Sequence, residues 1–489
     1  MVQSHRGEAE LAYALVTPYS LHKSRTGGIL ARLLWANVEL VAARMYAPHP
    51  RSGFLQDYCD AIYDPDERYI SLRYQKTLIE YILQNFGRPN ARGISNRLTL
   101  LVFCGPQAAR EMTEATGHIS RQVQGDNVRG TFGDYFREDS AALQEDPAYG
   151  DRQRLMTRYE KLSTVMEASP RNDFFEPAVL TGVSPEMTER HLKVFRKYAY
   201  SDGGLVLDAL EGLEEPSIET SMVILKPESF RNRNPLPGNL IDFFARSGMF
   251  ITGMKVMQLD VAEAREFYGL KLPQFREQLK GMVAERARRI VQEARLLAQE
   301  AVERMQADPA EALKPANALA AARRVERLFG VGRAPGEVKP RVVERIFDGL
   351  AERLSDLDPP GSVYEELAED LKGLNAQAEF DELIRYMTGK DPATGEPVEP
   401  GREARCMALL YSGPGALSVI RKRLKELREV YGQNVLQNRA HASDPDEDPA
   451  KEMEVLGMPT APGGESRPCD VERVVNEFYG EPVAVEAPI

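Results

Sequence analysis

No segment of this chain approaches the ~18 consecutive apolar residues that a bilayer-crossing helix requires. The opening MVQSHRGEAELAY has no apolar core of the kind a secretory signal carries, so the expectation is a cytoplasmic protein with no membrane partner. Cysteine is scarce: Cys59, Cys104, Cys406 and Cys469 occur without a C-x-x-C pair, which argues against a disulfide framework and against a zinc cage. Positive charge is not in excess either. With 62 Lys and Arg against 74 Asp and Glu, the formal net charge of -12 speaks against a general nucleic-acid binder, whose phosphate contacts need clustered cations. There is no G-x-x-x-x-G-K-S/T phosphate loop. The run Gly330-x-Gly332-x-x-x-Gly336 has no strand ahead of it and is not a dinucleotide fingerprint.

What is present is a globular composition, 43% hydrophobic and 28% charged over 489 residues, long enough for more than one core. Apolar spacing predicts a strand at Leu11–Val16, a helix at Gly28–Asn37 and a strand at Val38–Tyr46. A helix follows over Asp66–Phe86, then a strand at Leu98–Phe103, a helix at Gln107–Ala115, a strand at Phe174–Leu180 and a helix at Pro185–Tyr198. The order then repeats. Glu219–Leu225 reads as a strand, Asn239–Arg246 as a helix, Met249–Met257 as a strand, Ala262–Tyr268 as a helix and Cys406–Tyr411 as a strand. Ala416–Val430 reads as a helix, with a short strand near Asn434–Leu436 and a last helix near Ala450–Leu456. Two domain-sized copies are expected, over residues 8–212 and 216–480, with 481–489 a tail.

The second copy is interrupted at about residues 276–376 by a stretch rich in Ala, Glu, Arg and Leu at helical spacing, exemplified by MVAERARRIVQEARLLAQEAVERM. Its many i,i+4 Glu/Arg pairs predict solvated helices rather than a loop.

The residues that bear chemistry cluster late. Asn438-x-x-His441-x-Ser443-Asp444 is followed by Glu452, and a histidine just after a short strand, with a carboxylate on the following helix, can have one ring nitrogen oriented while the other attacks. Phosphoryl transfer needs cations around the oxygens that carry charge in the transition state. Lys226 at a strand end, Arg421 on a helix and Arg428 further along it supply three.

From Glu219 to about Leu456, leaving out the insertion, the chain resembles the nucleoside diphosphate kinase family. The resemblance rests on VILKP at Lys226-Pro227, on Tyr268 in EFYGL, on FDELIRYM from Phe380, and most specifically on N-R-A-H-A-S-D around His441 with Glu452 beyond. It implies two ferredoxin-like βαββαβ units of the α+β class, each an antiparallel sheet covered by helices. It also implies a ping-pong reaction in which a nucleoside triphosphate such as ATP, carrying Mg2+, phosphorylates His441, and a nucleoside diphosphate then takes the phosphate. Glu452 would orient the ring with Ser443 beside it. Lys226, Tyr268, Arg421, Arg428 and Asn438 would face phosphates and sugar, and Phe380 and Leu383 would face the base.

The chain departs from that pattern in two places: Ala442 stands where the family has glycine, and the long loop between the two arginines is missing. In the first copy, Thr17 takes the place of the lysine, Thr113 or a neighbour that of the helix arginine, and a residue near Leu180 that of the histidine, while Arg129-Gly130 resembles the family's Arg-Gly segment. The first copy is therefore expected to be a pseudo-domain, with the pair forming an internal pseudo-dimer or assembling further. The competing reading is a nucleotide-binding or scaffolding protein that keeps the fold without the turnover.

Overall fold

The computed structural model describes residues 9–48, 52–87, 96–119, 126–137, 158–163, 173–200, 218–231, 233–269, 296, 377, 380–399, 404–432, 438–444, 448–460 and 469–480. Most of the expected helical insertion, the glycine run from Gly330 and the strand expected at Asn434–Leu436 lie outside these residues. Compactness divides the chain into Met1–Phe267 with Arg385–Ile489 as one unit and Tyr268–Ile384 as the other, so both repeated sheets belong to the first unit. In the second unit, Tyr268, Phe380 and Ile384 are buried and Leu383 is half-buried. Among the described residues no helix is long and apolar enough to cross a membrane.

The first unit is mixed α+β, with two four-stranded antiparallel sheets. In the first, β1 (Ala9–Val16) lies between β3 (Leu98–Pro106) and β6 (Val179–Leu180), and β2 (Glu39–Tyr46) pairs with the far edge of β3. In the second, β7 (Ile218–Leu225) lies between β9 (Cys406–Pro414) and β10 (Ala440–Ala442), and β8 (Phe250–Met257) flanks β9. A separate two-stranded ribbon joins β4 (Asp134–Arg137) to β5 (Asp173–Glu176). The central strands are buried almost end to end, which is why they read as continuous apolar runs rather than alternating ones.

The repeat extends to details of register. β1 and β7 each pair eight residues with the next strand over, Ala9 opposite Pro106 and Ile218 opposite Pro414. The second edge strand of each sheet has a one-residue irregularity at the same step, between Leu40 and Ala42 and between Ile251 and Gly253. A left-handed residue, Gln107 (φ 51°) or Gly415 (φ 63°), opens the helix after each third strand, α2 (Ala108–Thr116) or α5 (Ala416–Tyr431). Counted from that residue, Thr113 and Arg421 are equivalent.

The two repeats pack face to face through equivalent parts. Helix α1 (Thr26–Leu33) crosses α4 (Leu236–Ala245) with Gly27 against Gly238, and a Cβ on either glycine would run into the other helix's backbone. Edge strands β2 and β8 lie side by side. Leu30, Leu33 and Phe103 from one repeat and Leu240, Phe244 and Leu409 from the other share one hydrophobic core. A second core covers the other face of the first sheet, where α3 (Pro185–Lys197) and α7 (Asp470–Tyr479) pack.

Two expectations need correction, and helix α7 was not expected. The segment Phe174–Leu180 is not one strand, because Pro177 and the left-handed Ala178 (φ 63°) break it, leaving β5 in the ribbon and β6 in the sheet. The helix expected from Asp66 begins at Leu72, and a separate helix, Phe54–Ile62, precedes it. Helix α7, from the end of the second repeat, had no expectation at all, yet it packs against α3 and β2 of the first.

Candidate active site

The site grows from the edge of the second sheet. β10 is only three residues long, and His441 is its middle residue, opposite Ile224 of β7. The histidine sits within this strand; the strand expected ahead of it, near Asn434–Leu436, lies outside the described residues. Just ahead of β10, Arg439 adopts φ 71°, an uncommon region for a residue with a side chain, where the backbone enters the sheet. Its carbonyl accepts the Lys226 N–H at 2.9 Å, and its own N–H donates to Glu228 Oε1 at 2.8 Å. Ala178 (φ 63°) does the same in the first repeat, accepting the Thr17 N–H at 3.1 Å.

The imidazole is buried and held edge-on by the Phe267 ring, with centroids 5.4 Å apart at 86°. Its Nε2 lies 3.5 Å from Glu452 Oε1. Glu452 comes from α6 (Pro449–Val455), a short helix whose start is marked by Pro449 in its first turn and by Asp448, which caps Lys451 N at 3.2 Å. Ser443 is tied into the sheet: its N–H donates to Met222 O at 2.9 Å and its Oγ accepts the Met222 N–H at 3.3 Å.

Both arginines ride on α5. Its apolar residues Ala416, Ile420, Leu424 and Leu427 recur at helical spacing and face the core, which leaves Arg421 and Arg428 on the flank toward β10. Arg421 Nη1 donates to Ala442 O and Arg428 Nη2 to Ala440 O, each at 3.1 Å, so the two guanidinium groups bracket His441 through its neighbours' carbonyls. Arg421 Nη2 also pairs with Asp444 Oδ2 at 2.5 Å. Lys226, one residue past β7, is buried, and desolvation brings its ammonium down to about 8, with Glu228 opposing that shift and Arg428 adding to it. Tyr386 OH donates to Glu228, and the Arg231 guanidinium lies 5.4 Å from the centre of the Tyr386 ring.

Lys226, Arg421, Arg428, Asn438, His441, Ser443 and Glu452 thus belong to the edge of one sheet and the helices beside it. Tyr268, Phe380 and Leu383 belong to the second compact unit. Sequence reasoning did not single out Glu228, Tyr386, Arg439 or Phe267. Glu228 lies two residues past Lys226 and Arg439 two before His441, and that proximity was the available signal.

The equivalent place in the first repeat is differently furnished. Leu180 stands opposite Leu15 as His441 stands opposite Ile224. Thr17 Oγ1 donates to Glu176 Oε1 at 2.7 Å, and Tyr81 OH reaches both carboxylate oxygens of the same buried Glu176, at 3.0 and 2.8 Å. Arg129 donates to Val179 O at 3.2 Å and also to Gly117 O, both backbone carbonyls.

No protein-family model matches this chain, and no curated protein matches it. Among the described residues no group of three or more His, Cys, Asp and Glu is arranged to hold a metal ion. The chemistry on offer is a buried imidazole with a carboxylate on one nitrogen and three cationic side chains nearby.

Proposed function

We propose that the second repeat transfers phosphoryl groups between nucleotides through His441, as a nucleoside diphosphate kinase does, and that both repeats are ferredoxin-like βαββαβ units. The observation that carries this reading is the approach of Glu452 Oε1 to His441 Nε2 at 3.5 Å. With Nε2 3.5 Å from the carboxylate, Nδ1 serves as the attacking atom in this reading. Its lone pair forms an N–P bond to the γ-phosphorus of ATP while the bond from that phosphorus to the β,γ-bridging oxygen breaks and ADP leaves. Glu452 stabilises the positive charge that appears on the ring. In the second half the β-phosphate oxygen of a nucleoside diphosphate attacks the same phosphorus and the imidazole leaves, so no proton or electron is left over. Magnesium arrives on the nucleotide phosphates as part of the substrate. Lys226 at the strand end and Arg428 supply positive charge for the transferring group.

A second reading, nucleotide binding without turnover, is favoured by one feature: Arg421 is already paired with Asp444 at 2.5 Å. Incubation with γ-labelled ATP and magnesium separates the two. Acid-labile, base-stable label that requires His441 and passes to added GDP is the expected result. Folded protein that binds nucleotide and stays unlabelled would establish the second reading instead.

A further inference from the structure

Lys255 is a buried lysine in β8, the strand at the opposite edge of the second sheet from β10 and the one that lies beside the first repeat. Its Nζ donates to the carbonyl of Leu456 at 2.8 Å. Leu456 closes α6, the helix that carries Glu452. The last carbonyls of a helix lack intrahelical donors and carry partial negative charge. A buried ammonium placed there makes a charge-assisted hydrogen bond that a neutral side chain does not replace. Helix α6 has seven residues, too few to be held by its own hydrogen bonds. Beside the packing of buried Met453 and Leu456, the Asp448 cap holds its start and Lys255 holds its end.

The lysine is in turn built into the junction between repeats. Asp470, at the start of α7, is buried, and its Oδ2 accepts the N–H of Val256 and the N–H of Ala43, each at 2.8 Å, one from each neighbouring edge strand. Burial raises the Asp470 carboxyl, while those two N–H groups and the charges of Arg44 and Lys255 pull it down. Arg44 holds the register position in β2 that Lys255 holds in β8, opposite Leu100 and Ala408 respectively. Arg44 lies over the Tyr200 ring, 5.8 Å from its centre, whereas Lys255 holds the helix that bears Glu452. The difference falls in the repeat that has the histidine.

We infer that Lys255 is a positioning residue: it fixes the end of α6 so that Glu452 meets His441 Nε2, and it thereby ties the site to the junction between the two repeats, a role in turnover that rests on reading His441 as the phosphoryl acceptor. The test uses the full chain with histidine-selective isotope labelling and follows the His441 ring by NMR through a pH titration in wild type, Glu452→Gln, Lys255→Met and Lys255→Arg. The His441 midpoint is expected to move in Glu452→Gln, to move in the same direction in Lys255→Met, and to stay at the wild-type value in Lys255→Arg, which keeps a charged donor. Single-turnover labelling by ATP should slow by up to about a hundredfold in Lys255→Met with nucleotide affinity little changed, the mark of a misplaced group rather than a lost contact.

A folded Lys255→Met protein whose His441 midpoint matches wild type while Glu452→Gln has moved would overturn the role. If the methionine variant does not fold, Lys255→Gln, whose shorter amide falls short of Leu456 O, takes its place with the same expected shift. Absence of label in wild type would count against phosphoryl transfer alone, since the titration reads the Lys255, Glu452 and His441 relation without turnover.

Discussion

Leu180 and His441 occupy the same place in two sheets of the same strand order, Leu180 opposite Leu15 and His441 opposite Ile224. Two residues beyond those partners stand Thr17 and Lys226, each donating its N–H to a left-handed residue's carbonyl. One backbone plan therefore carries an apolar residue and a hydroxyl in one repeat and an imidazole and an ammonium in the other.

The proposed phosphoryl transfer predicts a single phosphorylation per chain. Intact-mass measurement after treatment with ATP and magnesium should find one added phosphate, absent from His441→Ala. Leu180→His should add no second one, because Thr17 offers no charge and the Glu176 carboxylate beside it is held by Thr17 and Tyr81. Two phosphates on the wild-type chain would refute this.

Lys226 links the site to stability. Burial lowers its ammonium from the ordinary 10.5 to about 8, so the folded protein gives up this proton before the unfolded chain does. The cost to folding is therefore whole below about pH 8 and fades as pH rises toward 10.5. Lys226→Met is expected to stabilise the protein at pH 7 by roughly 1–3 kcal/mol while weakening ATP binding at least tenfold. ATP affinity of the wild type should begin to fall above about pH 8. A urea midpoint for Lys226→Met below that of wild type would argue against the buried-charge account.

Arg421 can serve a phosphate only in competition with Asp444, whose carboxylate lies 2.5 Å from Nη2. The pair is partly exposed, so its strength is modest, up to about 1 kcal/mol. Asp444→Asn should lower the KM for ATP by up to about fivefold. An unchanged or higher KM would mean that Asp444 orders Arg421 for the substrate instead of competing with it.

The crossing of α1 and α4 tolerates no side chain at its centre, since a Cβ at Gly238 would strike the Ala31 amide and the Gly27 carbonyl. Gly238→Ala and Gly27→Ala should each cost about 1–3 kcal/mol in urea unfolding. Gly248→Ala is a contrasting case: φ there is +80° with nothing within 4 Å of the added carbon, so any loss reports backbone strain without a clash. Equal stability of wild type and Gly238→Ala would show that the helices can separate.

The main sheet strands and most of the helices beside them were legible in apolar spacing, because buried strands and one-faced helices leave periodic marks in a chain, whereas the helix Phe54–Ile62, β4 and α7 were not. Residue type and spacing also paired His441 with Glu452, and the structure places Nε2 and Oε1 3.5 Å apart. The break at Pro177 and Ala178 and the insertion of His441 into β10 were not legible, since positive φ at an alanine or an arginine is imposed by tertiary hydrogen bonds and not by the residue. Tertiary structure alone decided that Arg421 and Arg428 grip the carbonyls on either side of His441, that Gly27 meets Gly238, and that Asp470 binds an edge strand of each repeat. Each of these joins residues far apart along the chain, and a contact across such a separation is set by how the sheets and helices pack.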